Sequence, residues 1–278
     1  MTPRELIHQT ASAFRDAGIP DPDYDASLLL ANLLHRPPLS LRLDTDTALQ
    51  NDVIEAYRDL CARRLGREPL QYILREAPFM GAMLRVDPRV LIPRPETELL
   101  CEWALAEMES IDHPRVLDLC CGSGCIGLSI RKARPDAEVF LSDISPDALD
   151  VATMNARELG LRVVCTAGDL FTGVPVQKFH LIISNPPYIP SAECSMLQEE
   201  VLREPRLALD GGKDGLVFYR RICGEAPDHL YPGGMLIMEL GDGEAIPVKQ
   251  LMLDAGFIDP VIRQDLCGRE RMILGRVS

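Results

Sequence analysis

The chain lacks several features that would place it in a specialised class of protein. No apolar run is long enough to cross a bilayer, and residues 1–6 lead into a mixed polar helix rather than the apolar core of a signal peptide. Internal repeats and low-complexity tracts are also missing. With 278 residues, 46% of them hydrophobic, the sequence predicts a cytoplasmic protein with one large core and a small second domain.

Basic side chains are scarce. The chain has 29 Lys and Arg against 42 Asp and Glu, a formal net charge of −13 at pH 7. Proteins that grip a nucleic-acid backbone normally cluster Lys and Arg. The one notable basic group here, Arg63, Arg64 and Arg67, is typical of a solvated helix end. We therefore expect no direct binding of nucleic acid or membrane, and an acidic body suits a basic protein partner better.

Paired metal ligands are missing as well. The nine cysteines include no Cys-x-x-Cys pair, the five histidines do not cluster, and Cys121 with Cys125 has no second ligand pair. Several cysteines fall inside predicted strands, helices or a glycine turn, where a disulfide would distort the fold. The sequence therefore predicts that the cysteines are reduced and mostly serve as packing residues, and that the protein binds no metal.

The most informative motif present is Asn185-Pro186-Pro187-Tyr188, directly after the apolar run 179–184. An Asn side-chain oxygen and a backbone carbonyl can each accept one N–H of a planar amide or exocyclic amine, and the prolines hold that carbonyl rigidly. Tyr188 can pack on the flat face of the same group. The motif predicts a pocket for such a nitrogen, and the alternative is a proline-rich turn after a buried strand.

A glycine turn lies upstream, where the predicted strand 115–119 runs into residues 120–124 (CCGSG) before an apolar helix. Glycine turns let a ligand approach the backbone, and a helix amino terminus offers unpaired N–H groups. The next predicted strand ends at Asp143, whose carboxylate can accept from two ribose hydroxyls. A nucleoside is therefore expected here. Asp143 could instead cap the helix that follows it. Asp169, another acid that follows a predicted strand, could likewise be a turn residue rather than a binding residue.

Asp118 separates the two nucleoside cofactors that fit this pattern. A carboxylate immediately before the glycine turn would repel the pyrophosphate of a dinucleotide. S-adenosylmethionine carries no phosphate, and Asp118 would stabilise its cationic sulfonium and ammonium groups. The residues therefore favour the methyl donor, with a dinucleotide as the alternative.

Three parts are predicted along the chain. Residues 1–75 form a helical domain whose scattered polar residues suit substrate binding rather than chemistry, residues 76–94 form a β-hairpin connector, and residues 95–278 form the catalytic domain. The predicted helices of the first part are 4–17, 23–35 and 50–65, and the hairpin strands are placed at 71–74 and 83–86, around Gly81.

Strands and helices alternate from residue 95 to the end, which predicts an α/β fold with a doubly wound, mostly parallel sheet. Only the polar stretch 263–268 joins the last two strands, too short for a crossover helix, so this pair should be antiparallel. Ligands bind beyond the carboxyl ends of such strands, where Asp118, Asp143, Asp169 and Asn185 are all expected. The predicted strands are 115–119, 138–142, 162–166, 179–184, 234–240, 257–262 and 271–276.

Several short motifs occur in an order that is typical of one enzyme family. They are residues 67–73 (REPLQYI), 90–98 (VLIPRPETE), 185–188 (NPPY), 204–205 (EP) and 211–216 (GGKDGL). Over nearly its whole length the chain resembles the release factor N(5)-glutamine methyltransferases, the HemK/PrmC family of class I methyltransferases. The element 93–98 is the specific part, because the Asn-Pro-Pro-Tyr motif also occurs in DNA adenine and some ribosomal RNA methyltransferases. A sister family that methylates a ribosomal protein glutamine typically lacks the Pro-Glu-Thr-Glu form.

The resemblance implies a fold, a reaction and a site. It implies a seven-stranded class I methyltransferase sheet, S-adenosylmethionine as cofactor, and methyl transfer to the side-chain amide nitrogen of the glutamine in the Gly-Gly-Gln motif of class I translation release factors. It also implies that Asn185, Pro186, Pro187 and Tyr188 hold this glutamine, with Asn185, Pro186 and Tyr188 as the catalytic candidates. The cofactor-binding candidates are Asp118, Leu119, Cys120, Cys121, Gly122, Gly124, Asp143, Asp169, Leu170 and Asn185.

Two positions depart from the family pattern. Cys120 and Cys121 stand where the family more often has glycine and a small hydroxyl residue or cysteine, and Leu170 stands where many members place an aromatic. Both departures bear on cofactor affinity. The alternatives to the implied function are methylation of another protein glutamine, methylation of an exocyclic amine in DNA or RNA, and a non-catalytic cofactor-binding protein.

Overall fold

A computed structural model describes all residues from Met1 to Ser278, and they form two compact units. The first unit comprises Met1–Arg75 together with the short segment Glu199–Arg203. The second comprises Glu76–Gln198 and Glu204–Ser278. No helix in either unit has the length and apolar character that a membrane span requires.

The first unit is helical. Its first helix starts with a capping box, in which Thr2 and Glu5 each bond the other's backbone N–H, so the helix begins where local chemistry dictates. The core is built around Phe14, Leu29 and Tyr57, all fully buried. The helices are α1 Pro3–Asp16, α2 Pro22–Leu34, α3 Pro38–Arg42, α4 Asn51–Leu65 and α5 Leu70–Leu74.

Helix α5 corrects the prediction of a strand at residues 71–74. Leu70 and Ile73 are both buried in the core of the first unit, and their spacing of three residues puts them on one face of a helix. A strand would have turned them to opposite faces, because side chains alternate along it. Packing against α2 and α4 therefore decided the local structure.

Arg64 corrects a second prediction, that of a solvated basic helix end. Its side chain is only 5% exposed and pairs with Asp25 through Nε at 2.7 Å and with Glu200 through Nη1 at 2.9 Å. Arg67 bonds the same Glu200 carboxylate at 3.2 Å. Of the three arginines, only Arg63 behaves as predicted, with 41% of its side chain exposed. The cluster therefore holds the segment that contains Glu200 within the first unit.

The second unit opens with an antiparallel hairpin and continues as a seven-stranded sheet flanked by helices. The hairpin strands are β1 Glu76–Phe79 and β2 Ala82–Arg85. The sheet strands are β3 Arg115–Leu119, β4 Glu138–Asp143, β5 Val164–Ala167, β6 Phe179–Ser184, β7 Leu230–Glu239, β8 Ile258–Gln264 and β9 Glu270–Arg276. The helices are α6 Pro95–Glu107, α7 Cys125–Ala133, α8 Pro146–Glu158, α9 Val217–Glu225 and α10 Ala245–Asp254.

The strand order is β5-β4-β3-β6-β7-β9-β8. Strands β5 to β7 in this order run parallel, and β9 is antiparallel to both of its neighbours, β7 and β8. The predicted doubly wound sheet and its antiparallel last pair are therefore confirmed. The chain winds outward from β3 to β5 and then returns to place β6 beside β3, so the topological switch point lies between β3 and β6.

Each face of the sheet has its own core. Helices α6, α7 and α8 cover one face, around side chains such as Leu100 and Val116, and α9 and α10 cover the other, around Tyr219 and Ile222. Burial on both faces explains why β3 and β6 are apolar almost throughout. Ligands of such sheets bind at the switch point, beyond the carboxyl ends of the strands.

Candidate active site

A cavity opens at the carboxyl ends of β3, β4 and β6, next to the switch point. Its empty space amounts to about 780 Å³, which includes a part that is open to solvent. The polar groups on its wall include Asp143, Asp169 and Asn185. The predicted site residues that line it are Cys120, Gly122, Asp143, Asp169, Leu170, Asn185 and Pro187.

The other predicted site residues lie behind this wall. Asp118, Leu119, Cys121 and Gly124 are buried. Pro186 is also buried, and Tyr188 is half-buried against the core on the α9 and α10 face. A bound amide in contact with the Tyr188 ring therefore stays a prediction.

The glycine turn begins where β3 ends and closes on the start of α7. Gly124, at φ +78°, precedes the first residue of α7, and Gly122 takes φ +52°. A Cβ built on Gly122 would meet no atom within 4 Å, so the backbone at this position is open for a ligand to approach. The Gly122 N–H donates to Asp143 Oδ2 at 2.9 Å, which ties the turn to the end of β4.

Asp118 is fully buried under the turn. Its Oδ2 accepts the Gly127 N–H at 2.8 Å, at the first turn of α7, while its Oδ1 has no hydrogen-bond partner. Burial raises the pKa of Asp118 to about 8, and the bond from Gly127 opposes this only in part. The unpaired oxygen of this buried carboxyl favours an N–H donor nearby, and a bound cation would lower the pKa again and so favour the ionised form.

Asp143 faces the cavity with both oxygens already bonded once. Oδ1 accepts the Ser145 N–H and Oδ2 accepts the Gly122 N–H, both at 2.9 Å. Each carboxylate oxygen can accept a second bond, so two acceptor positions remain. The cap of α8 is Ser145, whose hydroxyl accepts from Ala148 N–H. The alternative that Asp143 caps this helix is therefore wrong.

Asp169 and Leu170 form the wall beyond β5. Arg221 on α9 donates to Asp169 Oδ2 at 2.9 Å and thereby orients the carboxylate. The Leu170 carbonyl accepts from the Ser142 hydroxyl at 3.2 Å. The backbone carbonyl of Asp169 also accepts from Thr172 N–H, so Asp169 is both a turn residue and a wall residue.

The two departures from the family pattern share one backbone property. Cys120 has φ +59° and Leu170 has φ +53°, the left-handed region that glycine adopts without strain. A non-glycine residue held there costs on the order of 1–3 kcal/mol. Cys120 and Leu170 both line the cavity, so both hold this conformation at the site itself.

Asn185 follows β6, and the end of that strand is tied to β3 by a bond from the Ser184 hydroxyl to the Leu119 carbonyl at 2.8 Å. Asn185 Nδ2 donates to Thr97 Oγ1 at 3.3 Å, and Thr97 Oγ1 donates to Glu239 Oε2 at 2.6 Å. Because Nδ2 points to Thr97, the amide oxygen Oδ1 points the other way. Asn185 therefore offers an acceptor that the protein does not itself use.

Close packing holds the Asn-Pro-Pro-Tyr segment in place. A Cβ on Gly211 would come within 2.7 Å of the Tyr188 backbone, and one on Gly241 would lie 3.0 Å from Tyr188 Cδ2. Gly211 must therefore be glycine for the segment to lie where it does, and a side chain at Gly241 would push against the Tyr188 ring. Burial raises the pKa of Tyr188 to about 12, so its hydroxyl stays neutral.

Sequence reasoning missed part of the site. The cavity wall also includes apolar side chains from the connections before α6 and before α9. Thr97 belongs to the element 93–98 that the sequence already singled out, but its bonds to Asn185 and Glu239 were not foreseen. Glu239 could have been suspected, since it is a lone acid at the end of the apolar run 235–238. The missed wall residues are Arg89, Val90, Leu91, Ser142, Ile144, Ser145, Ala148, Gly168, Pro205, Leu207, Ala208 and Phe218.

The sheet order and the cavity at its switch point define a class I methyltransferase fold. The T. thermophilus 16S rRNA methyltransferase RsmC, solved with AdoMet and guanosine, has this fold, with a TM-score of 0.55 at 18% identity. The similarity covers 73% of this chain and 50% of that chain. Residues 97–223 match the methyltransferase small domain, and residues 5–74 match the PrmC N-terminal domain.

Relatives that match along the entire chain narrow the class to one family. The release factor glutamine methyltransferase of Geobacter sulfurreducens is 42% identical over 278 residues, which cover 100% of this chain and 97% of the relative. That of Deinococcus radiodurans is 39% identical over 273 residues and covers 98% of each chain. The chain belongs to the release factor glutamine methyltransferase family and is a methyltransferase.

Proposed function

We propose that this enzyme transfers a methyl group from S-adenosylmethionine to the side-chain amide nitrogen of the glutamine in the Gly-Gly-Gln motif of class I translation release factors. Family membership supports the substrate class. The observation that carries the chemistry is the Asn185 amide on the cavity wall, whose nitrogen is bonded to Thr97 and whose oxygen is left to accept. A translation factor as substrate agrees with the cytoplasmic location predicted from the sequence.

The residues around the cavity fit S-adenosylmethionine. Asp118 has a buried oxygen without a partner beside the glycine turn, Gly122 is open to a ligand, and Asp143 keeps two acceptor positions. Gly122 and Asp118 would hold the cationic amino acid end, Asp143 the ribose, and Asp169 with Leu170 the adenine. The bound cofactor supplies a methyl group on a positively charged sulfur, which makes that carbon electrophilic.

Asn185 and Pro186 would orient the substrate. An amide nitrogen is a poor nucleophile because its lone pair is delocalised, so the protein must hold it close to the reacting carbon and in line with it. Asn185 Oδ1 and the Pro186 carbonyl would each accept one N–H of the glutamine amide. These bonds strengthen as positive charge develops on the nitrogen, which stabilises the transition state more than the ground state. The nitrogen then loses one proton to solvent, which gives the neutral N-methyl amide.

The magnitude follows from the charge on the donor. A hydrogen bond to a group that carries charge is worth about 1.5–3 kcal/mol. Asn185→Ala should therefore lower kcat by roughly tenfold to a few hundredfold. The cofactor should still bind, because the turn and Asp143 are untouched. Rates at the wild-type level in this variant, with the protein folded, would contradict the role of Asn185.

The substrate is tested directly with methyl-labelled S-adenosylmethionine. We would incubate the enzyme with a purified class I release factor and with the same factor whose loop glutamine is changed to alanine. Label on the first factor alone is the expected result. Label on neither factor, while the cofactor still raises the melting temperature, would exclude this substrate and redirect the search to other proteins and RNA.

A further inference from the structure

Behind Asn185 lies a buried chain of two hydrogen bonds that leads away from the cavity. Thr97, in the first turn of α6, is 2% exposed, and Glu239, at the end of β7, is 3% exposed. Thr97 Oγ1 lies 2.6 Å from Glu239 Oε2 and 3.3 Å from Asn185 Nδ2. Both side chains are thus nearly fully buried, and neither lines the cavity.

The direction of each bond follows from the chemistry of the groups. An ionised carboxylate can only accept, so the single hydrogen of the Thr97 hydroxyl must point to Glu239. The hydroxyl then has only lone pairs to offer Asn185, and only the NH₂ end of the amide can donate to them. The oxygen of Asn185 is thereby left on the opposite side.

We propose that Thr97 and Glu239 are positioning residues that determine which end of the Asn185 amide faces the substrate. This inference rests on the proposed function, in which Asn185 Oδ1 accepts an N–H of the glutamine. The two ends of an Asn side chain have nearly the same shape, so packing alone does not choose between them. An acceptor-only carboxylate that acts through the hydroxyl does choose.

The protonation state of Glu239 should affect the orientation of the Asn185 amide, and this provides a test of the proposal. A protonated Glu239 can donate to Thr97, which frees the Thr97 hydrogen to donate to Asn185 and so permits the amide to reverse. Burial raises the pKa of Glu239 to about 7, so this occurs as pH falls through neutrality. The charged or titratable groups that interact electrostatically with Glu239 are Glu96 and Cys101 on α6, Cys125 at the start of α7, Tyr188 after β6 and Arg271 on β9. Of these groups, only Arg271 is a cation.

Three variants separate this role from a merely structural one. Thr97→Val keeps the shape and removes the hydroxyl, Thr97→Ser keeps the hydroxyl, and Glu239→Gln puts a neutral amide in place of the carboxylate. We expect Thr97→Val to lower kcat by about three- to tenfold with the cofactor Kd unchanged, and Thr97→Ser to stay within about twofold of wild type. Equal losses in Val and Ser variants that both remain folded would overturn the proposal.

The pH profile of kcat gives the second readout. The wild-type enzyme should lose activity below about pH 7, and Glu239→Gln should show a low rate without this acid limb. An acid limb that persists unchanged in Glu239→Gln would overturn the inference, even if Thr97→Val cannot be purified. Asn185→Ala distinguishes failure of the positioning role from failure of the proposed function. If Asn185→Ala loses turnover while Thr97→Val and Glu239→Gln behave as wild type, only the positioning role is wrong. If Asn185→Ala keeps turnover, the proposed function itself is wrong.

Discussion

Gly127→Ala should destabilise the protein although it replaces the weakest helix-forming residue after proline with the strongest one. A Cβ at this position in α7 would lie 2.3 Å from Leu141 Cδ2 and 3.1 Å from Asp118 Oδ2. Leu141 is fully buried in β4, so either its side chain repacks with strain or the first turn of α7 moves away from the sheet. Movement of the turn would also lengthen the 2.8 Å bond from Gly127 N–H to Asp118.

The size of the effect follows from three contributions. Overpacking a core costs about 1–3 kcal/mol. The weakened hydrogen bond adds about 1 kcal/mol, the value for two neutral groups, because the raised pKa of Asp118 leaves its carboxyl mostly neutral at pH 7. The gain in helix propensity offsets about 1 kcal/mol. The free energy of unfolding should therefore fall by about 1–3 kcal/mol, measured by urea denaturation followed by circular dichroism.

The same substitution in α9 provides the matched control. Gly224 is exposed, and a Cβ there would meet no atom within 4 Å. Gly224→Ala should therefore stabilise the protein by about 0.5–1 kcal/mol. A Gly127→Ala variant as stable as wild type, or a shift of the same sign in both variants, would refute the reasoning that Gly127 is required by close packing.

Two further predictions concern buried charges. Burial raises the pKa of Asp118 to about 8 and of Glu244 to about 7, so each of these two carboxyl groups binds more protons in the folded chain than in the unfolded chain, and the stability that it contributes is lost as pH rises through these values. The melting temperature of the cofactor-free protein should therefore be lower at pH 8.5 than at pH 6.5, and Asp118→Asn should flatten this dependence; a rising profile would contradict it. Arg64→Leu should destabilise the first unit by about 3–5 kcal/mol, because it leaves the buried Asp25 carboxylate without its partner and leaves Glu200 with Arg67 alone, whereas Arg63→Leu should cost at most about 1 kcal/mol. Limited proteolysis and thermal melts of both variants measure the difference, and equal losses would show that burial of Arg64 does not matter.

The position of the cavity could be predicted because it depends on local patterns. Apolar runs that end at Asp118, Asp143 and Asn185 mark the carboxyl ends of parallel strands, and those ends meet at one edge of any doubly wound sheet. The pattern could not predict how deeply each of these side chains is buried. Asp118 lies beneath the wall and Asp143 lies on it, because only the packing of α7 over β3 decides which side chain is covered.

The sequence by itself determined the alternation of strands and helices, the antiparallel last pair and the glycine turn, since each is set by hydrophobic periodicity, connection length or the φ preference of glycine within a few residues. Only the tertiary structure decided that residues 70–74 are helical and that Arg64 is buried, because both depend on partners distant in sequence. It also decided the orientation of the Asn185 amide. Thr97 lies 88 positions from Asn185 and 142 from Glu239, and no local pattern contains a hydrogen bond between residues so far apart.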